Sequence, residues 1–454
     1  MSNALLSRIR SLLVLGLPLV GGQLAQVSIQ IVDTTMLGWY DVKALAGVVL
    51  ANTLFFSIFI VGSGFSWAVT PMVAGAVAKG DTVRVRRVTR MGLWVSMGYG
   101  VAVLPILLNG GALFRLLGQE PALADVAQRY LDVAAWCIFP ALTVMLLRSY
   151  LAGLARTQIV MWVTLGASAV NAFGNWVLIF GHLGAPELGA RGAAIASLCM
   201  YLGSVAALAV YARRAFPGDA LFARIWRPDW AELRQVFQLG WPIGMATLAE
   251  TALFSAAAVM IGWIGVVELA AHGIALQNAT MSFMLHIGMA QAATVLTGGA
   301  YARRDGDGLR EIAMAGLTVS GVLAAGAICL LLTMPAALVS VFLDPADPMK
   351  GAILAAGVVL VYMAAVFQLA DGVQVMLISL LRGLQDTRVP MWLATFSYWG
   401  VGAPLGYVLA FPVGLGAVGV WAGLAGGLSC AALLLWRRLW RQALPAVDRS
   451  GSPA

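Results

Sequence analysis

LRSYLAGLARTQIVMW (147–162) and LISLLRGLQDTRVPMW (377–392) agree at Leu147, Ser149, Leu151, Gly153, Leu154, Thr157, Met161 and Trp162 when the chain is laid on itself at an offset of 230. LGLP (15–18) meets LGWP (239–242) at an offset of 224, where GW at 38–39 also meets GW at 262–263. LGARG (188–192) meets LGAVG (415–419) at 227. One short match can arise by chance; three at nearly one offset mark an internal duplication. The chain therefore reads as two homologous halves, 1–215 and 235–444, joined by a basic linker, 216–234. The tail, 445–454, is short and polar and is expected to be disordered.

Composition says what is duplicated. The 454 residues are 61% hydrophobic and 11% charged, against about 45–50% and about 25% for soluble domains. Mean hydropathy is +0.88, which places the chain among polytopic membrane proteins. A membrane-crossing helix needs about 20 mainly apolar residues. Twelve such runs stand between charged or Gly/Pro-rich breaks: 11–38, 44–71, 91–114, 128–150, 158–181, 190–212, 236–262, 268–299, 311–338, 351–380, 389–411 and 415–437. Of the 28 basic residues, all but Lys43, Arg115, Arg129, Arg191 and Lys350 fall on one side of this count, leaving 23 there. By the positive-inside rule that side is cytoplasmic and holds both termini, as an even number of spans requires.

The expected fold is an all-α polytopic membrane protein: twelve transmembrane helices in two homologous six-helix bundles. Six is even, so the bundles are related by a pseudo-two-fold axis along the membrane normal. The net charge of +8 is spread over loops rather than one face, which argues against nucleic acid as a partner. The apolar run after Arg8 and Arg10 continues to about Leu37 without a small-residue cleavage site and reads as the first membrane helix. Trp39, Trp162, Trp263, Trp392, Trp436 and Trp440 fall at span ends, as interfacial anchors do. Cys137, Cys199, Cys329 and Cys430 lie inside apolar runs without CxxC spacing and read as packing residues.

Three carboxylates stand alone inside these runs: Asp33, Glu250 and Asp371. A charge in hydrocarbon costs at least a few kcal/mol, so such groups usually face a cavity, bind a cation or carry a proton. The repeat sharpens this, because Glu250 aligns with Gln26, Asp371 with Ala141 and Asp33 with Ala257. The shared scaffold does not impose the acids; a transport role explains them better than a purely structural one. Two carboxylates such as Glu250 and Asp371 supply charge that offsets a Na⁺ ion's lost hydration, or share a proton. Asp33 precedes Thr34 and Thr35, which offer hydroxyl partners. Asn171 and Asn175 share a helix face at i, i+4 spacing. His286, deep in the eighth span, reads as a hydrogen-bonded core histidine with a secondary possibility of proton relay. His272 reads as interfacial, and Arg382 with Asp386 as an i, i+4 pair fixing a helix end. Met281 and Phe283, with nearby Met and Phe residues, suit an adaptable cavity wall.

The stretches VDTTMLG (32–38), LGWPIGMATLAETALF (239–254), AAHGIALQ (270–277), VNAFGNWVLIFG (170–181) and DGVQVMLISLLRGLQDTRVPMW (371–392) resemble the multidrug and toxic compound extrusion (MATE) family, on the pattern of its NorM-like branch. The resemblance spans nearly the whole chain. It implies a two-lobed exporter that expels amphiphilic organic cations in exchange for inward Na⁺ or H⁺ by alternating access. It implies that Glu250 and Asp371 form a C-lobe cation site, holding Na⁺ if coupling is to sodium. Asp33, with Asn171 and Asn175, is then an N-lobe site for proton and substrate, with His286, Gln277, Met281 and Phe283 as secondary candidates. A monomer in a bacterial inner membrane is expected, with cationic drugs and the lipid bilayer as partners and no cofactor beyond the coupling ion. Two other readings compete. A lipid-linked precursor flippase of the same superfamily would need more basic residues within the spans to hold phosphates. An intramembrane enzyme would need a catalytic motif, and HExxH, GxSxG and P-loop patterns are all absent.

Overall fold

The computed structural model describes residues 3–221, 223–344 and 348–451. Among them there is no strand. Twelve long helical segments follow one another: α1 Asn3–Tyr40, α2 Val42–Ala78, α3 Thr82–Leu108, α4 Pro121–Gly153, α5 Thr157–Phe180, α6 Ala190–Ala215, α7 Trp230–Gly262, α8 Val266–Ala302, α9 Gly306–Thr333, α10 Lys350–Gly383, α11 from Arg388 to Ala410, and α12 Gly416–Arg438. Eleven of them are long and apolar enough to cross a membrane, α4 with a 3-10 turn at Ala135–Cys137. The other, α11, is interrupted by a π-helical turn at Ser397–Gly402. The third predicted run, 91–114, straddles a break: α3 stops at Leu108, and a short helix, Gly110–Leu116, begins beyond Asn109.

Short polar loops end many of these helices, and acids cap several of them. Asp41, Asp81 and Asp305 accept from backbone amides at the starts of α2, α3 and α9. Basic ends are tied by ion pairs: Arg8 to Glu311 (3.1 Å), Arg84 to Glu232 (3.0 Å) and Arg438 to Asp386 (2.8 Å). Trp39, Trp162, Trp263, Trp392 and Trp436 are all exposed at span ends, as anchors require, whereas Trp440 packs against a buried apolar cluster. The four cysteines are free.

Two compact units result: Gly21–Gly244, and Met1–Val20 with Met245–Ala454. Their boundaries fall inside α1 and α7 rather than at the linker, so each of these helices is divided between units. The repeat-related prolines Pro18 and Pro242 lie within three residues of the two boundaries. Proline removes one hydrogen bond from a helix interior, which makes those points suited to a change of packing partner.

The unit Gly21–Gly244 is built around two apolar clusters, one with Leu107, Leu131 and Leu142 and one with Met72, Val88 and Tyr150. Within it α2 and the start of α7 cross at glycines. A Cβ on Gly64 would stand 2.7 Å from Gly244 Cα, and one on Gly240 2.6 Å from Phe65 Cα. The linker is pinned by Tyr150 Oη donating to Asp219 (2.7 Å) and by Trp94 Nε1 donating to Ile225 O (2.8 Å).

The second unit packs α8, α10 and α12 around Phe367, Tyr398 and Trp421, with another cluster around Leu19, Met289 and Leu380. Its α11 and α12 approach through glycines: a Cβ on Gly427 would lie 2.8 Å from Gly402 Cα. Small residues permit such close backbone contact in membrane bundles. The chain end departs from the disordered tail expected from sequence. Leu444–Gly451 form a helix, because Leu444 and Val447 are buried in the cluster that includes Leu435 and Leu439. Residues 452–454 lie outside the described residues.

Candidate functional site

In the second unit, α7 carries Glu250 and α10 carries Asp371 within electrostatic reach of each other. Asp371 is 1% exposed, and neither of its carboxylate oxygens meets a hydrogen-bond donor among the described residues. Glu250 Oε1 is likewise buried without a donor. Gln368 and Gln374 lie three residues either side of Asp371 on the same broad face of α10 and are fully buried. Gln368 Nε2 donates to Ala279 O (3.2 Å) and Gln374 Nε2 to Tyr398 Oη (2.6 Å), which orients both amides by their nitrogens. Their carbonyl oxygens are left buried and unsatisfied. Five buried oxygens therefore lack donors here. Unsatisfied buried acceptors cost of order 1–3 kcal/mol each, and more when charged, so this cluster calls for a cation or protons.

Tyr398 reaches this cluster from the π-helical turn of α11. Such turns recur at functional sites because they re-aim one side chain within a helix. Arg382, one helical stretch beyond Asp371 on α10, bears electrostatically on Glu250. Asp386, the partner expected for Arg382, accepts from Arg438 Nε. Among the described residues no three His, Cys, Asp or Glu side chains gather as a metal cluster. The oxygen set is two carboxylates with neutral carbonyls, the ligand type of hard cations.

His286 stands behind this site. Its ring nitrogens face Ser282 O on its own helix (3.0 Å) and Ser320 O on α9 (3.2 Å). Ser320 Oγ donates to Gly372 O (2.8 Å), next to Asp371. The residue is a buried brace of α8, α9 and α10, as its sequence context suggests. His272 is buried rather than interfacial, at 2% exposure, with its ring edge-on to Trp421. Gln277 is half-buried and makes no hydrogen bond to Glu250 or Asp371 among the described residues. Met281 is exposed, and Phe283 packs with the cluster around Leu19 and Met289.

In the unit Gly21–Gly244, Asn175 Nδ2 donates to Asp33 Oδ1, joining α5 to α1. The same nitrogen reaches Asn171 Oδ1 at 3.3 Å. Both asparagines are fully buried, and Asn171 Nδ2 and Asn175 Oδ1 meet no hydrogen-bond partner among the described residues. Thr34 does not serve the carboxylate: its hydroxyl bonds Gln30 O on its own helix (2.8 Å). Asp33 and the two asparagines singled out in the sequence therefore lie together. It misses Arg148, counted there with the cytoplasmic loops. The structure sets Arg148 half-buried on α4, donating to Gln26 on α1 at 2.8 Å. Long basic side chains near helix ends reach into a bundle as readily as away from it, and sequence position does not distinguish the two.

The MatE family pattern matches residues 18–177 and 242–408, one block in each half. The chain is 45% identical over 453 residues to a probable multidrug resistance protein NorM of Rhizobium meliloti (strain 1021), covering 98% of this chain and 97% of that protein. It is 42% identical to a protein of the same description from Agrobacterium fabrum (strain C58 / ATCC 33970), covering 96% and 94%. Among solved structures, that of a MATE protein in complex with MaL6 superposes with a TM-score of 0.89 at 18% identity, covering 99% of this chain and 100% of that one.

Proposed function

Because the chain belongs to the MatE family, we propose that it is a secondary multidrug efflux antiporter that expels amphiphilic organic cations in exchange for inward Na⁺ or H⁺. It is a multi-span membrane transporter of small-molecule drugs, and not an enzyme. The coupling ion enters at Glu250 and Asp371, and the drug at Asp33 with Asn171 and Asn175. The observation that carries this reading is the set of five buried oxygens without donors around Asp371. A bound Na⁺ satisfies several of them at once, while protons satisfy the carboxylates. Tyr398 and Gln374 hold the neutral part of the set in place. Each charge moving down 100 mV supplies about 2.3 kcal/mol, so one or two ions drive substantial drug accumulation outside.

Ion binding on the outward side stabilises the state that releases drug, and drug binding on the inward side stabilises the state that releases the ion. Such coupling requires only that each ligand prefer one of two alternating conformations. The concentration of arginine on one side supports an orientation with both termini in the cytoplasm of a bacterial inner membrane. The duplication supplies both halves of such a transporter in one chain, and we take the working unit to be a monomer.

The test is drug efflux from proteoliposomes under separately imposed Na⁺ and H⁺ gradients. Wild type should respond to at least one gradient, and Asp371→Asn to neither. Intact efflux by Asp371→Asn under both gradients would remove the coupling site from this pair.

A further inference from the structure

Arg90 lies near the start of α3, immediately before the third apolar run of the sequence, and is 7% exposed. Its Nη1 donates to Arg224 O in the linker (2.9 Å), and its Nε is buried with no hydrogen-bond partner among the described residues. The linker is fastened to the same stretch of α3 by Trp94 and by the Asp229 amide, which donates to Met91 Sδ (3.2 Å). A guanidinium carries five N–H donors and a permanent charge, so one backbone carbonyl leaves Arg90 short of acceptors and of countercharge.

Its surroundings deepen the shortage. Arg86, Arg87 and Arg227 are all within electrostatic reach of Arg90, and the acid within reach is Asp229. Asp229 is already engaged, through Oδ2 with Arg87 Nε (3.6 Å) and through Oδ1 with the Glu232 amide (3.3 Å). Glu232 itself pairs with Arg84 (3.0 Å). Four arginines thus share one carboxylate, and like charges this close repel unless an anion from outside joins them. Membrane topology asks only that arginines lie in the loop, where water can solvate them. It does not ask that one be buried with three others around it.

The position of the cluster says which anion. It stands where two spans begin, since the third and seventh apolar runs start at 91 and 236. Trp226 and Trp230, either side of Arg227 and Asp229 in the chain, are 72% and 70% exposed. Indoles favour the headgroup layer of a bilayer, and basic residues beside a span attract anionic headgroups. Arg86 is half-buried and Arg87 and Arg227 are exposed, so a headgroup on the surface can reach them. We propose that Arg86, Arg87 and Arg227, backed by the buried charge of Arg90, bind the phosphate of an anionic phospholipid, with Trp226 and Trp230 resting in the headgroup layer. The site needs a membrane but not the antiport reading, and stands or falls apart from it.

The test presents the full-length protein in detergent with equal amounts of dioctanoyl phosphatidylglycerol and dioctanoyl phosphatidylcholine and counts bound lipid by native mass spectrometry. Both carry a phosphodiester, but only the first has a net negative charge. Wild type should favour phosphatidylglycerol about tenfold. Arg86→Gln with Arg227→Gln should bring the ratio close to one, and Arg90→Gln should lower it about threefold. Arg213→Gln with Arg214→Gln removes the same charge from the exposed last turn of α6 and should leave the ratio within about twofold of wild type. If Arg90→Gln does not fold, the comparison of the two double variants decides alone. No preference in wild type, an unchanged ratio in Arg86→Gln with Arg227→Gln, or equal losses in the two double variants overturns the site. Inorganic phosphate in excess should leave phosphatidylglycerol bound; displacement by it overturns the lipid as the ligand.

Discussion

At one position of the duplication the unit Gly21–Gly244 carries Gln26, held by Arg148, while its counterpart carries Glu250, within electrostatic reach of Arg382 and Asp371. The first unit gathers one carboxylate, Asp33, already satisfied in part by Asn175. The second gathers two carboxylates and two glutamine carbonyls, with five oxygens unsatisfied. A group that already has a donor can exchange it for a bulky ammonium at small cost. A cluster of bare acceptors in a dry interior favours a small ion that several oxygens can share. The contrast shows that one duplicated scaffold can carry differently charged interiors in its two copies, because the acids stand at positions the repeat does not share.

The largest effect should come from Asp371→Asn, which removes a charge and half of the bare carboxylate set. Ion-driven efflux is expected to fall by about 100-fold, the value of a charge-assisted interaction near 3 kcal/mol, measured as initial rate under an imposed gradient. Asp33→Asn should weaken binding of a cationic drug about tenfold, read by titration of a fluorescent cation, with the ion dependence of the other unit retained. Loss of ion dependence in that variant would merge the two sites into one. Tyr398→Phe deletes the acceptor for Gln374 Nε2 and frees that amide to turn; ion affinity should drop about threefold, and equal drug binding would keep the effect local. The smallest functional change belongs to Gly427→Ala, where a Cβ would press on Gly402. It should cost about 1–3 kcal/mol and lower the melting temperature by a few degrees, with the ion dependence of the folded fraction unchanged.

The fold class was legible because its signals are additive over many residues: long apolar runs, few charges within them, and a duplication visible at Gly153, Met161 and Trp162. Asp33, Glu250 and Asp371 were legible because an acid in such a run is costly and stands out. The neutral members of the sites were not. Gln368 and Gln374 differ from any surface glutamine only in the face of α10 they occupy, although their i±3 spacing from Asp371 was a usable signal. Tyr398 reaches Gln374 only because a π-helical turn rotates α11, and nothing in SYWGVG announces that turn. Arg148 and Arg382 sit near helix ends, where sequence alone assigns charge to loops. The tail failed for a different reason: Leu444 and Val447 form too short an apolar pattern to be read without the cluster they enter.

The proposed division of ion from drug is tested most directly by reading both fluxes in one preparation. Proteoliposomes containing Asp371→Asn or Asp33→Asn are compared with wild type for gradient-driven drug efflux, drug-driven ion movement and equilibrium drug binding. The expected result is that Asp371→Asn binds drug yet loses both coupled fluxes, and that Asp33→Asn binds drug poorly while its ion dependence survives. If the two variants lose drug binding and ion response together and to the same extent, the division between the two units is wrong.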